Sequence, residues 1–457
     1  MSAPIPLAEA PVKSLFFKYY IPTLTSILSI TLHQVVNGVI LGQQVGKEGL
    51  AAVGLYGPVV IMLVALTLPL MIGSGILFSK NIGAEKYDSA QTIFQFATTL
   101  ALLFGGVIAL STPFLIRPIV HFLAGAENTT LVRNTSDYMF WQLIALPFFF
   151  LGMFWGSFNR NDGAPEVSRN ASLIAVALNI ILDLLLIIGL NLGVEGASIA
   201  TALASLASIL YLFFHIQKGK NHFSFQRFQF TLQLKEWKEL LKLGIPSFAS
   251  EVSFSSGLLL ISHSIVPYGP LAVSAFGLVN YLSFIFIRLF TAAMIASLPI
   301  MSYNIGAKLP HRVLATFQFS FAFTLVLGLI VTAIGCLFPS VLVTLFAGSE
   351  TGEFKQIASS AIALYFTLFL AAGPNYILSA YLQSIGKPTV SALINILKGF
   401  VCIALFLMLL PEYFKLGLRG VWLSRSLAEV LTLLLIGGYT FYHKEKFYSE
   451  NVIVTRE

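Results

Sequence analysis

Asp183 lies in the run "ALNIILDLLLIIG", with Asn179 four residues before it and no basic neighbour. On a helix the two share a face, so a carboxyl and an amide converge inside an apolar stretch. That pair suits the uptake and release of a proton; an Asp near a helix end that reaches interfacial water is the competing reading. A second acid, Glu251, follows "GIPSFAS" with Ser255 one turn later. Arg288, Lys398 and Arg425 also fall within apolar runs, where a charge costs roughly 2.5–3.5 kcal/mol on insertion scales and needs a partner or a wet cavity. Arg425 and Glu429, four apart, are expected to satisfy each other, and Lys398 or Arg288 is available to bridge Glu251. Ser26, His33 and Gln34 form a polar stripe running back toward Pro22, with Asn37 one turn beyond His33. A proton relay through His33 and a neutral, hydrogen-bonded His33 both fit this pattern. His263 lacks such neighbours and reads as structural.

The elements that must hold these residues follow from composition. Among 457 residues 57% are hydrophobic and 10% charged, which cannot surface two or three soluble domains. Apolar runs of membrane-spanning length recur near 15–40, 51–78, 90–113, 136–158, 168–190, 195–216, 238–266, 271–300, 313–338, 356–382, 388–410 and 419–443. Strands of a membrane barrel would alternate and would not contain "LIALPFFFLGMFW", so the expectation is an all-α polytopic membrane protein with twelve spans. Cys336 and Cys402, both in apolar runs, read as small buried hydrophobes rather than a disulfide framework or metal site. With both ends on one side, the even-numbered loops carry thirteen Lys and Arg and the odd-numbered loops six, which places both termini in the cytoplasm. This distribution accounts for the net charge of +7 without nucleic acid.

The chain repeats itself. Shifted by 223, "SKNIGA" at 79–84 falls on "SYNIGA" at 302–307, "AAVGL" on "SAFGL", and "GAPEVS" on "GKPTVS"; shifted by 224, "GVEG" falls on "GLRG". Two six-helix lobes, 1–216 and 242–457, are therefore expected as parallel repeats, related by an axis along the membrane normal. The connection at 217–241 is cytoplasmic in this scheme, and its mix of charges and aromatics predicts an amphipathic helix on the inner leaflet. "NIGA" reads as a helix end with the turn on Gly-Ala and Asn81 or Asn304 capping carbonyls; in Gly163-x-Pro165 and Gly386-x-Pro388 the Gly ends one helix and the Pro starts the next. Asp183 and Glu251 have no acidic counterpart, so the scaffold is duplicated and the chemistry is not.

No GK[ST] phosphate loop, HExxH or nucleophile elbow occurs, which argues against an enzyme or an ATP-driven pump and for no cofactor or metal. The ordered set "LAAVGL", "SKNIGA", "SYNIGA", "NIILD…GVEGASIAT", "GIPSFASE" and "YLQSIGKP" resembles the multidrug and toxic compound extrusion family, whose superfamily includes polysaccharide and lipid-linked flippases. The resemblance implies two lobes forming a V. It also implies export of amphipathic, cationic organic compounds by alternating access, driven by protons, in a monomer in a bacterial inner membrane among lipids. Sodium coupling and a lipid-linked saccharide flippase remain alternatives. Carried over by position, the family's N-lobe network falls on Asn37, Asp183 with Asn179, Tyr138 and Thr201, assisted by His33 and Gln34. Here "VVN" replaces "VVD", so Asn37 cannot titrate. The C-lobe cation or substrate site falls on Glu251 and Ser255, with Lys398 and Arg288. The tenth span holds no Asp, and a hard cation such as sodium favours several oxygens, so protons are the expected coupling ion.

Overall fold

A computed structural model describes residues 7–125, 129–348 and 352–442; the two termini that the loop charges assign to the cytoplasm lie outside these residues. All regular structure among them is helical. The first half holds α1 (Val12–Gln44), α2 (Lys47–Gly83), α3 (Tyr87–Ala124), α4 (Thr129–Ile144), α5 (Leu146–Asn161), α6 (Pro165–Asp183) and α7 (Gly193–Gln217). The second holds α8 (Trp237–Ile265), α9 (Pro270–Gly306), α10 (Pro310–Leu337), α11 (Pro339–Ala347), α12 (Glu353–Tyr365), α13 (Phe369–Ser384), α14 (Pro388–Ile396), α15 (Cys402–Met408) and α16 (Leu418–Tyr442). Helices answer the demand that every backbone polar group in hydrocarbon be satisfied within its own segment. Large apolar side chains such as Leu110 and Phe114 accordingly face outward, about four-fifths exposed.

Among the described residues eleven helices or joined helices are long and apolar enough to cross a membrane. The remaining expected span is α4 with α5, bent by 46° at Ala145. Its counterpart, α12 with α13, is also interrupted, by the 3-10 turn Phe366–Leu368. In each half a glycine lets a neighbour approach the break: a Cβ on Gly105 would lie 2.7 Å from Pro147 Cα, and one on Gly328 would run into the Phe369 carbonyl. Counted as one span, the bent pair brings the total among the described residues from eleven to twelve.

The main chain itself carries the duplication. Left-handed residues recur as Gly46 and Gly269, Glu85 and Lys308, Gly125 and Gly348, and Gly163 and Gly386 at the shift of 223. Asn191 and Lys415, and Gly193 and Gly417, recur at 224. Pro165 and Pro388 open their helices as the spacing predicts. The helices end at the NIGA glycines, Gly83 and Gly306, as expected, but the left-handed residue is Glu85 or Lys308, beyond the Gly-Ala pair, and Asn81 and Asn304 each donate to the carbonyl four residues back at 2.8 Å. Cys402 is buried, but Cys336 is exposed and donates to the Ala363 carbonyl.

Two compact units result. One holds Leu7 and Ile21–Leu241, and the other holds Ala8–Tyr20 with the chain from Lys242 onward. The start of α1 thus packs in the second unit, where Phe16 meets Phe319 and Phe323 of α10 at 5.3 and 5.1 Å between ring centroids. The core of that unit gathers Phe290, Tyr365, Phe366, Phe369 and Trp422.

The amphipathic helix expected over 217–241 is absent: residues 218–236 form an irregular strap laid on the first unit. Phe223 is buried against Phe94, Phe78 and Phe158 at 4.5, 5.6 and 6.0 Å. Gln91 exchanges two hydrogen bonds with the backbone of Ser224, and Thr99 Oγ1 accepts the Thr231 N–H. Asp162 accepts from His222 Nδ1, the His222 N–H and Asn221 Nδ2 at 2.9–3.2 Å. Burial pushes the Asp162 carboxyl above its ordinary range, with the His222 and Asn221 contacts opposing the shift. The aromatics found bonding sites on the helices that were better than a helix of their own.

Candidate functional site

In the first unit Asp183 ends α6, and the chain then widens into a π turn, Leu184–Gly189, before the left-handed Asn191. π turns inside helices collect at functional sites because they re-aim the side chains around them. Asp183 is fully buried, and its Oδ1 has no hydrogen-bond partner among the described residues. The surrounding network assigns the Asn179 amide: its nitrogen donates to Asp183 Oδ2 at 2.8 Å and to His33 Nε2 at 2.6 Å, and its oxygen accepts from the Thr201 hydroxyl and N–H, each at 3.1 Å. His33 Nε2 lies 3.9 Å from Asp183 Oδ2. Three helices, α1, α6 and α7, therefore converge on one amide, and His33 Nε2 accepts from it as the unprotonated ring nitrogen.

Not every candidate joins this cluster. Asn37 is buried one turn further along α1, with its Oδ1 unpartnered among the described residues. Tyr138 is buried, bonds to Gln142 and lies within electrostatic range of Asp183. Gln34 is exposed and makes no hydrogen bond among the described residues. Tyr56, which sequence reasoning missed, packs edge-on to Tyr138 at 5.6 Å. Only the packing of α2 on α4 brings those rings together, so no spacing along the chain signals it.

In the second unit the charges find other partners than the sequence suggested. Arg425 does not pair with Glu429 within 4 Å; its Nη1 donates to the Tyr365 hydroxyl at 2.7 Å, while Glu429 Oε2 accepts from Asn375 at 2.7 Å. Glu251, half-buried on α8, forms no ion pair with Arg288 or Lys398 within 4 Å, although the Arg288 charge acts on it. Arg288 stacks over Phe284 at 4.0 Å and leaves Nε buried without a partner among the described residues. Lys398 is buried, with Nζ 3.7 Å over the Tyr376 ring. Ser255, also half-buried, makes no hydrogen bond among the described residues.

A duplicated six-span helical unit with an acid in one copy only narrows the choice of family, and comparison with known proteins completes it. The MatE family model matches residues 22–185 and again 246–408, once on each repeat. The chain belongs to the MatE family. As a MatE protein it is a membrane transporter of the multidrug efflux family and not an enzyme. Over 441 residues it is 25% identical to the probable multidrug resistance protein YoeA of Bacillus subtilis, covering 94% of this chain and 93% of that one. It is 25% identical over 439 residues to the multidrug export protein MepA of Staphylococcus aureus, covering 93% of each. The Vibrio cholerae MATE transporter VcmN in its bent form superposes with a TM-score of 0.87 at 22% identity, over 97% of this chain and 98% of that one. Both repeats share this backbone, while the Asp183 cluster lies in the first unit and Arg288 and Lys398 in the second.

Proposed function

We propose that this MatE protein is an antiporter that exports amphipathic organic compounds, with a cationic group matched to Asp183, in exchange for protons. It would act as a monomer in a bacterial plasma membrane with both termini cytoplasmic, as two lobes joined by the 217–241 segment. The observation that carries the reading is a fully buried carboxyl with an unpartnered Oδ1, held by Asn179 beside His33 and away from any Lys or Arg. Such a group stays neutral when dry and ionises when wet or when a cation arrives, so proton and cation compete for it. His33 is placed to pass the proton, Thr201 fixes the amide, and Asn37 and Tyr138 supply polar walls. Glu251 and Ser255 are assigned to the substrate site of the second lobe.

The test is efflux of an aromatic cation such as ethidium from sealed vesicles, under a proton gradient and separately under a sodium gradient, with wild type and Asp183→Asn. Proton-driven efflux lost in the variant is the expected result. Sodium-driven efflux that survives the substitution overturns the assignment, and absence of flux under both gradients points to the flippase alternative.

A further inference from the structure

Within its described spans the second unit holds more Lys and Arg than Asp and Glu. Well inside its spans stand Arg288, Lys398 and Arg425 against Glu251 and Glu429, and no Lys or Arg among them is within ion-pair distance of an acid. Arg425 has a neutral partner in Tyr365, so the cations of this set without a hydrogen-bond partner among the described residues, each set over an aromatic ring, are Arg288 and Lys398.

These two belong to one locality. Lys398 covers the ring of Tyr376, and the same tyrosine lies within electrostatic range of Arg288, as does Glu251. α8 is held against the segment carrying Lys398 at backbone contact: a Cβ on Gly257 would run into the Gly399 carbonyl, and one on Gly399 would lie 2.7 Å from Ser253 Cβ. Asn395 Nδ2 closes the same seam by donating to the Pro246 carbonyl at 2.9 Å. Lys398 itself sits in a π turn, Leu397–Val401, that has no counterpart in the first unit, whereas the later π turn Leu409–Tyr413 repeats Leu184–Gly189. At the shift of 223, Arg288, Tyr376 and Lys398 correspond to Ala65, Met153 and Ala175, so the whole arrangement is particular to this unit.

The geometry points to a binding site in the second unit for the anionic group, carboxylate or phosphate, of an aromatic or amphipathic organic molecule, held by Arg288 and Lys398 and flanked by Phe284 and Tyr376. The orphaned Arg288 Nε supplies an N–H donor, Lys398 supplies three more, and the two rings offer faces for an apolar body. Glu251 is a competing negative charge, so its neutralisation favours the anion. The site deepens the export reading by naming a second substrate group. It depends on that reading only for the word substrate.

Equilibrium binding separates the two, because no gradient is involved. Naphthoate, naphthyl phosphate and naphthylmethylamine are titrated calorimetrically into the purified full-length protein in neutral detergent. Naphthoate and the phosphate bind to wild type; Lys398→Gln and Arg288→Gln each weaken the anions about tenfold or more, as loss of a charge-assisted hydrogen bond requires, and neither weakens binding of the amine, whose charge is matched to Asp183. Glu251→Gln tightens them, a direction that loss of a structural contact would not give. Competition by phosphatidylglycerol but not phosphatidylcholine assigns the anion to a lipid headgroup, and indifference to both assigns it to a soluble compound; either supports the site. Absence of anion binding, wild-type affinity in both cation variants, or equal weakening of the amine in those variants overturns it. If neither cation variant folds, Glu251→Gln decides, since unchanged or weaker binding is then the overturning result.

Discussion

Replacing Asp183 by Asn has a quantitative consequence, because among the described residues the first unit offers one fully buried carboxyl within its spans to carry protons. The substitution is nearly isosteric, and the new side-chain carbonyl still accepts the Asn179 amide that Asp183 Oδ2 accepts at 2.8 Å, so the cluster is kept and only the ionisable proton is lost. One proton exchanged for one monovalent cation is electroneutral, and each unit of pH gradient supplies about 1.4 kcal/mol, or about tenfold in concentration ratio. In vesicles with the membrane potential clamped at zero, the logarithm of the steady-state substrate ratio should therefore rise with the pH difference at a slope of about one. Asp183→Asn should flatten the slope to about zero while the substrate still equilibrates. His33→Gln should slow the approach to steady state but leave the slope at about one, since a relay passes the same proton. A wild-type slope of about two would show a second coupled proton and refute the single-carboxyl argument; a slope that persists in Asp183→Asn would refute the site itself.

Other expectations concern the frame. Phe223→Ala removes a ring buried among Phe78, Phe94 and Phe158 and should cost about 3–5 kcal/mol in strap docking, read as faster tryptic cleavage at Lys218, Lys220 and Arg227 in detergent. Gly105→Ala drives a methyl into Pro147 and Gly328→Ala into the Phe369 carbonyl; each should cost about 1–3 kcal/mol by overpacking, and the double variant should show the sum in its unfolding midpoint, since the sites lie in separate units. The raised Asp162 carboxyl contributes stability that is fully present below the ordinary Asp range and is lost as pH rises through its folded value. Asp162→Asn should remove that falling limb from a plot of melting temperature against pH; an unchanged plot would deny the group this role.

Spans and duplication were legible because both are written locally: an apolar run of about twenty residues has one stable form in hydrocarbon, and repeated Gly and Pro positions fix repeated turns. Asn179 and Asp183 were legible for the same reason, being one turn apart on one helix. The four-residue spacing of Arg425 and Glu429 was equally clear, yet it misled: spacing states what can meet, whereas the packing of α12 and α13 on α16 delivered Tyr365 and Asn375 as nearer partners. The strap was misread for a related reason. Phe223, Phe225, Phe228 and Phe230 are spaced more nearly by twos than by helical turns, which suits an extended chain whose rings fill gaps between helices already formed.

The strap also has a consequence for the order of synthesis. Its aromatic and hydrogen-bonding partners, Phe94, Gln91, Thr99 and Asp162, all precede it in the chain, so by Thr231 the nascent protein holds everything those contacts require. A gene divided after the strap should yield a first fragment that closes on itself, whereas one divided before Lys218 would leave the groove around Phe94 bare and prone to aggregate. The piece that must wait is made before the strap: Ala8–Tyr20 leaves the ribosome ahead of the rest of α1, yet Phe16 meets its partners Phe319 and Phe323 only when the second repeat arrives.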